Sequence, residues 1–197
     1  MMLVQTSQLD RLLEKLDDYG QTVPQELAES WLREADLRPE DVAEHVSFKP
    51  DLYQRGTVKK TGDYELLVVS WGPGQWSTLH DHFGSICAFR IVSGKATEIH
   101  FERSSGGYIF PAETAIHTEG SVQSCSGAEI HQLCNLESQG LVSVHIYSPP
   151  LASGQTYSIE ESPFGGYAEL ARRVAARSAH AAALEGGSGS ADRTAVS

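Results

Sequence analysis

Cysteine is scarce in this chain: Cys87, Cys125 and Cys134 are the three thiols among 197 residues. An odd number, in a chain long enough to bury its own core, argues against a disulfide framework and points to a reducing cytoplasm. Positive charge is also short, with 15 Lys and Arg against 26 Asp and Glu and a net charge of −11. Such a field repels phosphate backbones and anionic headgroups, so neither nucleic acid nor a membrane surface is an expected partner. No apolar run approaches the ~20 residues of a membrane-spanning helix. The opening MMLVQTSQLDRLLEKLDDYG lacks the basic and apolar stretches of a secretory leader. A soluble, unexported monomer is the expectation. What is present, 40% hydrophobic and 21% charged residues, suits one principal globular core, because that much apolar area offsets chain entropy over most of the length.

Leu9, Leu12, Leu13 and Leu16 take the spacing of one helical face, and Gly20 ends that helix. A second helix over 22–35 opens on Thr22 and Gln25, spaced as a capping box, with Leu27, Ala28, Trp31 and Ala35 as its apolar stripe. Pro39, Glu40 and Asp41 begin a short third helix that turns Val42 and Val46 inward. These make an N-terminal helical segment over 1–50. From Tyr53 the texture changes to short runs of Val, Ile, Tyr and Phe between Gly, Pro and Ser clusters, the pattern of an antiparallel sandwich or barrel. Strands are expected at 52–59, 64–71, 77–82, 86–92, 95–102, 107–112, 115–118, 121–125, 129–134 and 141–147. The fold class is therefore mainly β, a jelly-roll barrel of the cupin (double-stranded β-helix) kind over 51–165. Pro149-Pro150 should stop the sheet, since two ladder donors are lost. A C-terminal helix over 166–185 and a disordered tail over 186–197 complete the expected organisation.

His80-Asp81-His82 is the most informative tripeptide. Residues i and i+2 of a strand face one side, about 6.6–6.8 Å apart in Cα, so both imidazoles can converge on one ion at roughly 2.0–2.1 Å while Asp81 points away. The surrounding glycines fit the first metal motif of cupins, G-x5-H-x-H-x4-E-x6-G. Gly74, His80, His82 and Gly94 fall in register, and Cys87 stands where that motif has Glu. A further ligand is expected from a later strand. His131 with Asn135 gives the matching H-x3-N, whereas the competing His117 lacks that asparagine and comes too early. Three neutral imidazoles leave a ferrous ion its full double charge, which favours an anionic ligand such as a thiolate.

Ser143, His145 and Tyr147 alternate with Val142, Val144 and Ile146, so one strand face is polar and the other aliphatic. The polar face can line a cavity opposite the metal or simply meet solvent. A His held near a Tyr favours the first, because an imidazole can position a phenol that acts beside substrate. Tyr53 and Arg55 repeat the i, i+2 arrangement on the first strand. An inward Arg in such a cavity is explained by a carboxylate to be clamped. Cys134 reads as a small core residue, Cys125 as buried and inert, and His45, His100 and His180 as solvated.

Taken together, YQR (53–55), WGPGQWSTLHDHFGSIC (71–87), HQLCN (131–135) and VSVHIYSPP (142–150) resemble the type I cysteine dioxygenases, iron-dependent thiol dioxygenases of the cupin superfamily. The resemblance implies Fe(2+) on His80, His82 and His131, and a substrate carboxylate on Arg55 with Tyr53 nearby. It also implies a Ser143–His145–Tyr147 relay, a Cys87–Tyr147 thioether and a cis Ser148–Pro149 bond. The implied reaction takes a small thiol and O2 as partners and converts L-cysteine to cysteine sulfinic acid. Relatives acting on 3-mercaptopropionate carry Gln where Arg55 stands, and non-oxidising cupins such as sugar isomerases or sensors usually keep the Glu that Cys87 replaces.

Overall fold

A computed structural model describes residues 7–151 and 155–159. The expected C-terminal helix, the tail and His180 lie outside them. Three helices lead: α1 (Gln8–Tyr19), α2 (Gln25–Ala35) and α3 (Pro39–Val42), the last continued by a 3-10 turn. Leu9, Leu12 and Leu16 of α1 and Ala28, Leu32 and Ala35 of α2 are buried, as the spacing predicts. Ser7 and Asp10 form a reciprocal cap on α1, and Gly20 at φ 64° ends it. The expected Thr22–Gln25 cap on the second helix does not form. That helix starts at Gln25, after an N-cap Pro24 without a side-chain cap bond, and the amides of Leu27 and Ala28 donate instead to the Pro24 carbonyl.

Among the described residues ten strands follow: β1 (Gln54–Lys60), β2 (Glu65–Trp71), β3 (Leu79–His80), β4 (Ile86–Ser93), β5 (Lys95–Arg103), β6 (Ile109–Thr118), β7 (Val122–Cys125), β8 (Ile130–Cys134), β9 (Leu141–Ser148) and β10 (Thr156–Tyr157). They form two five-stranded sheets, ordered β1-β2-β9-β4-β7 and β10-β3-β8-β5-β6, in which the pairings are antiparallel. This is the expected jelly roll, with three departures. The runs 107–112 and 115–118 join in the single strand β6, β3 is far shorter than 77–82, and the sheet does not stop at the prolines. The Ser148–Pro149 bond is cis, as the resemblance implies. Beyond it β10 pairs with β3, Thr156 opposite His80, and the Asp81 carboxylate accepts from the Gln155 amide and the Tyr157 hydroxyl.

The described contacts divide the chain into two units, Met1–Glu102 with Ala112–Ser158, and Arg103–Pro111 with Ile159–Ser197. Within the second, a tight turn closes on itself: the Ser104 amide donates to the Tyr108 carbonyl at 2.8 Å and Gly107 adopts φ 85°. The first unit holds two apolar clusters. One joins the helices to Leu66, Val68, Ala88, Val92, Val142, Val144 and Ile146. The other fills the barrel with Leu67, Val69, Trp71, Phe89, Ile91, Leu133 and Leu141. β9 is buried at every position. The solvent reading of its polar face is thereby excluded: the helices cover the aliphatic face and Ser143, His145 and Tyr147 turn into the barrel.

Gly94, the last glycine of the metal motif, sits at φ 86°, and a Cβ there would lie 2.8 Å from the Gly140 carbonyl oxygen. Gly94→Ala combines backbone strain with a clash that no side-chain rotation relieves, so it should cost about 1–3 kcal/mol. Urea unfolding should show a lower midpoint; an unchanged midpoint would refute the close approach.

Candidate metal centre

β3 and β8 are neighbours with His80 opposite His131. Just past β3, His82 is held by its own amide, which donates to the Gly127 carbonyl, and by the Ser85 amide, which donates back to the His82 carbonyl at 2.7 Å. Gly84 supplies the positive φ of that turn. The three imidazoles form a near-equilateral triangle, with ring centroids 4.9 Å (His80–His82), 4.8 Å (His80–His131) and 4.9 Å (His82–His131) apart. Each offers one nitrogen to a common point, with all three within 4.8 Å of one another.

The opposite nitrogens show which atoms remain free. His80 Nδ1 meets the Thr78 carbonyl at 2.8 Å, His82 Nδ1 meets Cys125 Sγ at 3.4 Å, and His131 Nδ1 meets Glu98 Oε1 at 2.6 Å. A carbonyl and a carboxylate can only accept, so His80 and His131 are protonated at Nδ1 and keep a lone pair on Nε2. Nε2 of both His82 and His131 is buried without a hydrogen-bond partner. A buried polar atom left unsatisfied is costly, and a cation at the shared point satisfies both. Desolvation is the main cause that pulls His80 down to about 4 and His82 to about 2, with the neighbouring imidazoles adding to it. Those two rings are therefore neutral ligands at physiological pH. The residues fit a divalent transition metal held by nitrogen.

His117, the competitor, does not join this triangle. Its Nε2 lies 2.7 Å from Glu98 Oε2, and both side chains are buried. Sequence spacing does not single out Glu98, and His100, partly exposed as expected, also brings its Nε2 to 3.4 Å from the same oxygen. Burial raises the Glu98 pKa, but hydrogen bonds from His117 and His131 outweigh it and hold the carboxylate well below its usual range. Cys134 and Cys125 are buried as expected, and burial pushes the Cys134 thiol up to about 11. Cys125, however, touches His82 and faces Cys87 across β4 and β7.

A cavity of about 200 Å³ opens at the triangle, lined by Tyr53, Arg55, Trp71, His80, Cys87, His131, His145 and Tyr147 among others. Tyr53 stacks on Trp71 with ring centroids 4.4 Å apart. Trp71 Nε1–H donates to Ser143 Oγ at 3.0 Å, and Ser143 Oγ lies 2.8 Å from His145 Nε2. The other ring nitrogen of His145, Nδ1, points to Cys87 Sγ at 3.9 Å. Complete burial is the main cause that lowers His145 to about 3, so it is neutral. The expected relay is only half made. His145 and Tyr147 lie parallel with centroids 6.0 Å apart, and Nδ1 of the imidazole addresses Cys87 instead, because i and i+2 side chains on one strand face run side by side. Cys87 and Tyr147 are opposite each other on β4 and β9. Burial, with Cys87 next, raises the Tyr147 phenol well above its ordinary value. Arg55 stands at the rim. It is exposed, and its guanidinium carbon is 5.9 Å from the centre of the Tyr147 ring.

Among the described residues no helix is long and apolar enough to cross a membrane. The sequence profile described as Cysteine dioxygenase type I matches residues 6–160. Cysteine dioxygenase type 1 of Rattus norvegicus is 27% identical over 136 residues, covering 66% of this chain and 68% of that protein. The protein of the same name from Danio rerio is 26% identical over 125 residues, or 60% and 62% of the two chains. A solved double-stranded β-helix protein from Klebsiella pneumoniae superposes with a TM-score of 0.49 at 19% identity, over 60% of this chain and 89% of that one. A profile match that runs from α1 through β10 and takes in every residue lining the cavity shows that this chain belongs to the cysteine dioxygenase type I family.

Proposed function

We propose that this chain is a non-haem iron thiol dioxygenase that converts L-cysteine and O2 to cysteine sulfinic acid. The observation that carries the reading is one small cavity with His80 and His131 of the imidazole triangle on its wall and a guanidinium at its rim. At about 200 Å³ it falls below the ~300–1,000 Å³ of pockets for drug-sized ligands, which suits a molecule the size of one amino acid. When bound, Fe(2+) supplies the redox chemistry that joins a thiolate to O2. Both oxygen atoms go to sulfur, so the reaction balances without an outside reductant.

The protein's own residues bind and orient. Arg55 makes no ion pair with a described carboxylate and is free to take that of the substrate. Tyr147 stays a neutral phenol and so remains a hydrogen-bond donor beside the centre. Tyr53 and Trp71 form one wall of the cavity as a stacked pair. The three cysteines are free thiols, which supports a reducing cytoplasm.

Oxygen uptake by the iron-loaded protein tests the reading against cysteine, 3-mercaptopropionate and cysteamine. Cysteine should be consumed fastest, one O2 per sulfinate formed. No uptake with any thiol, iron being bound, ends the dioxygenase reading. One observation favours a second substrate: among the described residues no Asp or Glu lines the cavity to receive the cysteine amine. 3-Mercaptopropionate, which lacks that amine, keeps the carboxylate contact, and faster uptake with it would replace cysteine.

Cys87 and Tyr147 lie side by side and support a thioether. Joining sulfur to a ring carbon breaks the S–H and one ring C–H bond, and the two electrons and two protons pass to O2 to give hydrogen peroxide. Intact mass should fall by two hydrogens after aerobic turnover in wild type and stay constant in Cys87→Ser. An unchanged wild-type mass makes Cys87 a packing residue.

A further inference from the structure

We propose that Glu98, braced by His117, is a positioning residue that makes His131 an electronically distinct member of the three-histidine centre. The inference rests on the metal reading of that centre. Of the three imidazoles, His80 is backed by a neutral carbonyl and His82 by a sulfur, a weak acceptor. His131 alone among them is backed by a carboxylate, at 2.6 Å. A negative charge on the far nitrogen enriches the near one and fixes both the tautomer and the plane of the ring. In a water-poor interior that influence is felt more strongly than in solvent.

The arrangement is built rather than incidental. Glu98 is 3% exposed, and a carboxylate so placed is tolerable only if its oxygens are paired. One oxygen serves His131. The other is occupied by His117 at 2.7 Å, with His100 at 3.4 Å, so Glu98 cannot rotate away from His131 without abandoning a second buried contact. His117 is itself held edge-on to Phe89, with ring centroids 5.7 Å apart. β5 places Glu98 and His100 on one face, β8 brings His131 opposite His100, and β6 contributes His117. Cys87 stands where the cupin motif carries a carboxylate ligand. Glu98 returns a carboxylate to the centre one hydrogen bond behind a ligand, which leaves the metal's open positions free for substrate while lowering the net charge of the site.

The test uses the anaerobic full-length protein without thiol. Glu98→Gln keeps the shape and removes the charge. Its Fe(2+) affinity, read by competition with a chelator, should fall about 10- to 100-fold, and its iron reduction potential should rise, since the ferric state loses a neighbouring anion. His117→Gln should move both in the same direction by less. Circular dichroism verifies the fold, and packing alone would not move the potential. Wild-type affinity and potential in Glu98→Gln would overturn the proposal. If wild type takes up no iron, the metal reading fails instead. If Glu98→Gln does not fold, the zinc-loaded wild type decides: its NMR spectrum should show the His131 Nδ1 proton shifted further downfield than that of His80, and equal shifts would overturn the proposal.

Discussion

His82→Ala should leave the protein without bound iron. His82 is fully buried, its Nε2 has no other partner, and Cys125 fixes its opposite nitrogen. Its removal leaves His80 and His131, and two neutral nitrogens hold ferrous iron poorly. The loss should exceed the ~10- to 100-fold that removal of an outer partner costs, so iron content after loading and desalting should approach zero and oxygen uptake should vanish with it. His80→Ala and His131→Ala should behave alike. His117→Gln is the control: its imidazole meets Glu98 outside the triangle, and at saturating iron it should still bind one equivalent. If the His131 variant keeps its iron while the His117 variant loses it, the third ligand is misassigned.

Arg55→Ala should raise KM for cysteine by about ten- to a hundredfold. Charge-assisted hydrogen bonds to a carboxylate are worth about 1.5–3 kcal/mol, and at ~1.4 kcal/mol per tenfold the lower bound already gives an order of magnitude. Arg55 is exposed at the rim, so water screens part of the interaction and the effect should fall toward the lower end. Cysteamine has the thiol and amine but no carboxylate. It should be a poor substrate of wild type and should lose little on mutation, because the contact removed is one it never made. Oxygen uptake for both thiols with both proteins gives the comparison. Equal losses, or a wild-type preference for cysteamine, would show that Arg55 does not read a carboxylate, and the cysteine reading would go with it.

Much of this site is legible along the chain because its signals are local. The two-residue period of extended backbone picks out His80 and His82 as a pair, although β3 ends at His80 and it is a turn at Gly84, not a strand, that brings His82 in. The Leu9–Leu16 spacing identifies α1 for the same kind of reason. β10 escapes notice because two residues carry no period. Glu98 and His117 escape because a charged residue on a strand ordinarily faces water, and the contacts that bury them join β5, β6 and β8 across separations of 19 and 33 residues. One signal was available: Glu98 and His100 stand two apart on β5, with His100 opposite His131.

The alternation of β9 determines that Ser143, His145 and Tyr147 share one face and Val142, Val144 and Ile146 the other, since backbone pleating alone enforces it. Which face meets the metal is not a local property. It is decided by the helices, which bury the aliphatic side and leave the polar side to the barrel. The same holds for the partners of His145. Sequence places Tyr147 beside it, but packing sets Nε2 against Ser143, which Trp71 holds from another strand, and turns Nδ1 toward Cys87. Residue types and spacing thus specify the donors of the centre. Their protonation, their partners and the direction each one faces arise only when distant strands pack, because hydrogen-bond direction depends on neighbours that the chain brings together by folding.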